Sequence, residues 1–201
     1  MIRKILRNCR KPEGFFGRII VSSMNGGHSV VSKWALGFLK INPDARALDI
    51  GCGGGANISR LLEMCPHGHV YGIDYSSDSV SVSCKKNAAV LGKRCEITEG
   101  SVSTLPYENE SFDVVTAFET VYFWPDIVND FAEVFRVLKP GGKFLVCNEL
   151  SDPSNTTWSG RIDGMKIYSP DELVKLLMSN KFAIEVLEVK GKTWVCIIAK
   201  K

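Results

Sequence analysis

The segment Asp49-Ile50-Gly51-Cys52-Gly53-Gly54-Gly55 sets an acidic side chain immediately before a run of residues with almost no bulk. Leu48, Asp49 and Ile50 read as the end of a buried strand. The glycines read as a tight loop whose backbone N–H groups can approach a ligand closely. Asp49 bears on the charge of that ligand: a diphosphate beside a fixed carboxylate is repelled, whereas a molecule carrying an ammonium and a sulfonium is attracted. The same residues, Gly51-Cys52-Gly53-Gly54-Gly55-Ala56, also satisfy the dinucleotide fingerprint G-x-G-x-x-G/A, and Asp74 lies where a ribose-binding carboxylate belongs. Taken alone, the glycines leave a nicotinamide nucleotide, a cationic ligand and a plain turn all open.

Composition narrows the class. The chain has 201 residues, 45% of them apolar, which is enough to bury a full core and too much for a disordered segment. We expect a single domain over 1–201: a basic arm and helical cap in 1–40, a ligand-binding core in 41–150, and a loop, helix and hairpin in 151–201. No apolar run is long enough to span a bilayer, and no signal-peptide segment follows the first basic residues. The seven cysteines (9, 52, 65, 84, 95, 147 and 196) are scattered and never spaced C-x-x-C, which argues against disulfides and zinc and for a cytoplasmic setting. A net charge of +3 does not point to nucleic acid. The charge is uneven, however: Arg3, Lys4, Arg7, Arg10, Lys11 and Arg18 alternate with apolar residues. A solvated helix face or arm is the plain reading, with peripheral membrane contact or an acidic substrate as alternatives.

The elements that must position these residues follow from periodicity. Apolar residues at helical spacing predict a helix in 26–40, broken by Asn42-Pro43. Strands are expected at 45–50, 69–74, 95–99, 112–118 and 143–148, with helices at about 55–64, 77–91 and 125–138 between them. Lys139-Pro140-Gly141-Gly142 reads as a turn. Ser169-Pro170-Asp171-Glu172 caps a helix to about 179, and 182–189 and 193–199 form a hairpin around Lys190-Gly191-Lys192. Alternating strands and helices imply an α/β doubly wound parallel sheet, and the hairpin adds one antiparallel strand.

Four anchors follow one another along the chain: Asp49-Ile50-Gly51-Cys52-Gly53-Gly54-Gly55; Gly72-Ile73-Asp74-Tyr75-Ser76; Leu105-Pro106 with Ser111-Phe112-Asp113-Val114-Val115; and Leu138-Lys139-Pro140-Gly141-Gly142. In this order they resemble the class I S-adenosylmethionine-dependent methyltransferases, in their ubiquinone/menaquinone-biosynthesis-like small-molecule branch. The resemblance implies a Rossmann-like seven-stranded sheet in the order 3-2-1-4-5-7-6, strand 7 antiparallel, helices on both faces. It implies S-adenosyl-L-methionine as cofactor and S-adenosyl-L-homocysteine as product. It places Gly51, Cys52 and Gly53 under the methionine part, with Asp49 supporting the ammonium end. Asp74 would accept the ribose hydroxyls and Tyr75 would flank the adenine. Met24 and Phe118 join this cofactor set. An Asp commonly follows strand 3 in the family and receives the adenine amino group. Here Ser101 stands after Gly100, so a hydroxyl accepts instead, with the Val102 N–H meeting a ring nitrogen.

The resemblance also locates the reacting pocket beyond the ends of strands 4 and 5. Three segments can reach it: Met24-Asn25-Gly26-Gly27-His28; Phe118-Glu119-Thr120-Val121-Tyr122-Phe123-Trp124; and Asn148-Glu149 with the loop holding Trp158. The aromatic cluster is read either as packing for the next helix or as a wall for an apolar acceptor. Methyl transfer is an in-line displacement, so alignment supplies much of the rate, and a base matters only for a protonated acceptor. Glu119 and His28 are the candidate bases, with Tyr122 and Glu149 behind them. The strand 4 exit lacks the Asn/Asp-Pro-Pro-aromatic tetrapeptide of exocyclic-amine methylation, and Cys65-Pro66 lies far from the expected pocket. The expectation is therefore a methyltransferase acting on a small organic or lipid-like acceptor, as a monomer or homodimer. An RNA or protein methyltransferase docking through the basic N-terminus, and a cofactor-binding protein without catalysis, remain alternatives.

Overall fold

The computed structural model describes residues 29–191 and 193–201. The N-terminal basic arm, Met24 and His28 lie outside the described residues. Chain order runs α1 (Ser29–Leu36), β1 (Arg46–Ile50), α2 (Ala56–Met64), β2 (His69–Asp74), α3 (Ser77–Lys86), β3 (Cys95–Glu99), β4 (Phe112–Phe118), α4 (Ile127–Val137), β5 (Leu138–Asn148), α5 (Pro170–Ser179), β6 (Ala183–Lys190) and β7 (Trp194–Lys200). The strands form one seven-stranded sheet in the order β3-β2-β1-β4-β5-β7-β6. Neighbours are parallel except where β7 runs antiparallel to both β5 and β6. This is the expected topology.

The sheet is covered on both sides because its central strands carry apolar residues at odd and even positions alike. Leu48, Val115, Phe144 and Val146 pack with Phe131 and Val134 of α4 and Leu173 and Leu177 of α5. Ala47, Val114 and Leu145 pack on the other face with Val31 and Ala35 of α1 and Ile58 and Leu61 of α2. A strand buried on both faces reads as a continuous apolar run rather than as strict alternation, as β4 does. Burying Phe131 and Phe144 completely stabilises this layer by about 2–3 kcal/mol each.

Boundaries differ from the sequence expectation where side chains intercept the backbone. Helix α3 ends at Lys86 rather than at 91, because Asn87 turns its amide Nδ2 onto the carbonyls of Ser83 (3.0 Å) and Gly55 (3.2 Å). Helix α4 begins at Ile127 rather than Pro125. Its cap is Asp126, which accepts from the Asn129 N–H while its own N–H donates to the Asp130 carboxylate at 3.0 Å. Lys139-Pro140-Gly141-Gly142 is not a separate turn: β5 begins at Leu138. Leu138 pairs with Phe112, and the chain end holds the segment through Gly141 N–H to the Lys201 carbonyl and Lys201 N–H to the Gly142 carbonyl. Among the described residues, no helix is long and apolar enough to cross a membrane.

Candidate active site

The parallel strands β1, β2 and β4 all deliver their carboxyl ends to one rim of the sheet, where a cavity of about 370 Å³ opens. That volume suits a small ligand of nucleoside size. Its floor is the glycine turn after β1. Gly51 has φ +69°, and a Cβ there would run into the Thr120 side chain that follows β4. Glycine is therefore required twice over at this position, by conformation and by close approach. Thr120, in turn, donates its hydroxyl to the Ile50 carbonyl at 3.3 Å, so the β1 and β4 exits brace one another.

Asp74 closes β2 and ties the glycine turn to it. Its two carboxylate oxygens accept the N–H groups of Gly53 and Ser76, each at 2.9 Å. Burial pushes this carboxyl above its ordinary range, and the backbone bonds from Ser76 and Gly53 pull it back. The capping role near residue 77 belongs to Ser76, whose hydroxyl accepts from the Ser79 N–H. Asp74 is thereby left on the cavity wall with lone pairs to spare. Tyr75, 39% exposed, stands beside it on the rim. Ser101 and Val102 line the same end, with the Ser101 hydroxyl accepting from Ser103 N–H at 3.2 Å.

Asp49 is not among the residues lining the cavity. It is buried behind the turn, where its carboxylate accepts the Thr116 hydroxyl at 2.7 Å. Desolvation is the largest influence on it and pushes its pKa up to about 7, with Asp74 raising it further and the Thr116 bond and Arg60 opposing. Any influence on a ligand passes through the field rather than through contact. Cys52 is buried, and burial and the nearby carboxylates hold its thiol far above the range of a nucleophile, so it fills space under the turn.

At the other end, Phe118 and Glu119 leave β4 and enter the cavity wall. Glu119 sits in the left-handed region at φ +60°. Its N–H donates to the Cys147 carbonyl at 2.9 Å, and its carboxylate accepts from the Glu149 N–H and, at 3.3 Å, from the Tyr122 hydroxyl. That hydroxyl accepts in turn from the Leu150 N–H at 2.8 Å. Burial first, and the Glu149 charge second, push Glu119 up to about 8. The aromatic cluster divides. Phe123 and Trp124 line the cavity, while Tyr122 is buried behind it, and Trp124 also stacks on Phe144 with ring centroids 6.2 Å apart. Trp158 is 43% exposed and lies off the wall, as do Asn148 and Glu149.

The structure adds Arg60 and Ser32 to this wall, neither of which was expected there from the sequence. Arg60 shares the inward face of α2 with Ala56 and Asn57, a spacing visible in the sequence once the glycine turn is known to open that helix.

Strand order and the glycine turn after β1 give this chain the Rossmann-like fold of solved S-adenosylmethionine-dependent methyltransferases. Residues 48–146 match the family described as methyltransferase domain. A demethylmenaquinone methyltransferase of Bacillus mycoides (strain KBAB4) is 34% identical over 128 residues, which are 63% of this chain and 54% of that one. The chain thus spans about half the length of the curated relatives it matches. An S-adenosylmethionine-dependent methyltransferase structure from Aquifex aeolicus superposes with a TM-score of 0.76 at 17% identity, covering 91% of this chain and 97% of the other. The geranyl diphosphate C-methyltransferase of Streptomyces coelicolor superposes with a TM-score of 0.74 at 16% identity, covering 86% and 75%. These structural likenesses extend to the fold.

Proposed function

We propose that this chain transfers a methyl group from S-adenosyl-L-methionine to a small, largely apolar organic acceptor. The observation that carries the reading is one cavity with two differently prepared carboxyls on its wall: Asp74, fixed by backbone N–H groups, and Glu119, half-buried and held by Tyr122 and the Glu149 N–H. The wall fits the cofactor. Asp74 offers acceptor lone pairs for the ribose hydroxyls, Tyr75 a ring for the adenine, and Ser101 and Val102 polar groups for its edge. Gly51, Cys52 and Gly53 run under the methionine portion, Asp49 biases the field behind them, and Phe118 closes the floor. When bound, the cofactor supplies a methyl group on a sulfonium, already a good leaving group. The protein's part is alignment and dryness, with Phe123 and Trp124 forming an apolar wall.

Glu119 acts as general base where the acceptor attacks from a protonated oxygen, nitrogen or carbon. Its carboxylate takes that proton, and Tyr122 and the Glu149 N–H hold it in place. The names of the curated relatives make reduced demethylmenaquinone the first acceptor to try. The protein is incubated with methyl-labelled cofactor and that acceptor, or with a lipid extract, and label is counted in the organic phase. Transfer that disappears in Asp74→Ala and slows in Glu119→Gln supports the reading. Cofactor binding without transfer to any acceptor overturns it in favour of a binding protein.

A further inference from the structure

We propose that Arg60 is the anchor for the cofactor's carboxylate, and that it sets the preference of this site for ligands that keep the amino-acid tail. The inference rests on the cofactor reading above and deepens it.

The charges on the wall carry the argument. Among the described residues lining the cavity, three are charged: Asp74, Glu119 and Arg60. The cofactor has the complementary set, an ammonium and a sulfonium against one carboxylate. Arg60 is the single cation on that wall, and its two terminal nitrogens are held by neutral acceptors, Asn57 Oδ1 at 2.6 Å and Ser29 Oγ at 2.7 Å. It makes no ion pair with a carboxylate among the described residues. A guanidinium has five N–H donors in a rigid fork, so both bonds orient it while leaving donors for a carboxylate. Half-buried, it retains more of its charge's reach than a solvated arginine would.

Position agrees with charge. Asp74 fixes the sugar end through the same glycine turn that precedes α2, and Arg60 lies on the inward face of that helix. A ligand with its ribose at Asp74 and its chain across Gly51 and Gly53 runs its tail toward α2. Arg60 also reaches Asp49 electrostatically. The carboxylate and ammonium of one amino-acid tail therefore meet a guanidinium in front and a carboxyl behind.

The test compares two ligands that differ in the tail: S-adenosylhomocysteine, which keeps the carboxylate, and 5′-methylthioadenosine, which lacks it. Calorimetry on the full chain should show Arg60→Gln weakening the first by about 10- to 100-fold, as for a lost charge-assisted contact, and leaving the second within about twofold. Arg60→Lys should recover part of the loss. Equal losses for both ligands, or none for either, overturn the proposal. Ser29→Ala separates anchoring from scaffolding, because it removes the tie to α1 and keeps the guanidinium. A loss there as large as in Arg60→Gln would also overturn it. Wild-type protein that binds neither ligand refutes the cofactor reading itself, whereas wild-type protein that binds the two equally refutes only this proposal.

Discussion

The carboxylate of Asp74 accepts the backbone N–H of Gly53 at 2.9 Å, so the end of β2 and the turn that ends β1 form one unit. The proposed ribose contact and a fold contact thus share one side chain, and its removal should act on both. Asp74→Ala should lower S-adenosylhomocysteine affinity by roughly 100-fold and destabilise the chain by about 1–3 kcal/mol, since the Gly53 and Ser76 N–H groups lose their acceptor. Calorimetry and urea unfolding read the two effects separately. Unchanged affinity with reduced stability would confine Asp74 to bracing the turn.

Glu119 makes the chain's behaviour depend on pH in a defined direction. Its carboxyl is raised from 4.5 to about 8, so the folded chain holds this proton more tightly than the unfolded chain. The resulting stabilisation is complete below the unfolded value and fades as pH rises through about 8. The base form grows over the same interval, so turnover should climb with pH and level off above about 8 while stability declines. Glu119→Gln should leave turnover low and nearly independent of pH, and should remove this group's part of the stability slope. A residual stability slope at lower pH remains in the variant, because Asp49 (raised from 3.8 to about 7), Asp74 and Asp130 are all raised in the same sense. A turnover profile identical in the variant removes Glu119 as base.

The contact between Gly51 and Thr120 predicts a compensating pair. Gly51→Ala meets both a φ of +69° and the Thr120 side chain, and should destabilise by about 1–3 kcal/mol with loss of cofactor binding. Adding Thr120→Ala removes the collision but not the backbone strain, so part of the loss should return. Denaturant unfolding of the four proteins checks it; strictly additive losses would mean the two residues do not press on one another.

Ser101 tests the adenine end. Its hydroxyl accepts from Ser103 N–H in a short turn, an arrangement a carboxylate can also supply. Ser101→Asp should preserve cofactor affinity or tighten it severalfold, with Ser103 still capped. Loss of binding by calorimetry would refute this placement of the loop.

Much of the architecture was legible because it depends on chain neighbours. His69–Asp74 and Phe112–Phe118 fall where their apolar runs place them, Cys95–Glu99 falls at the bounds expected from the sequence, and the Ser169-Pro170-Asp171-Glu172 cap forms with its reciprocal bonds. The errors in extent share one origin. Asn87 ended α3, Asp126 delayed α4, and the Lys201 backbone drew Gly141 and Gly142 into β5, each through a partner that hydrophobic periodicity does not register.

The sequence by itself determined the alternation of strands and helices, the glycine turn that only small residues can make, and the acidic residues closing β1 and β2. Those features depend on side-chain size, backbone freedom and hydrogen bonds within a few residues. The tertiary structure decided which carboxyls line the cavity. Thr116 took Asp49 from 67 residues away and drew it behind the wall, while Glu149, 30 residues beyond Glu119, helped raise that group. It also brought Arg60 and Ser29 together from 31 residues apart. A group's charge depends on its desolvation and on the charges packed against it, and the order of strands in the sheet sets both.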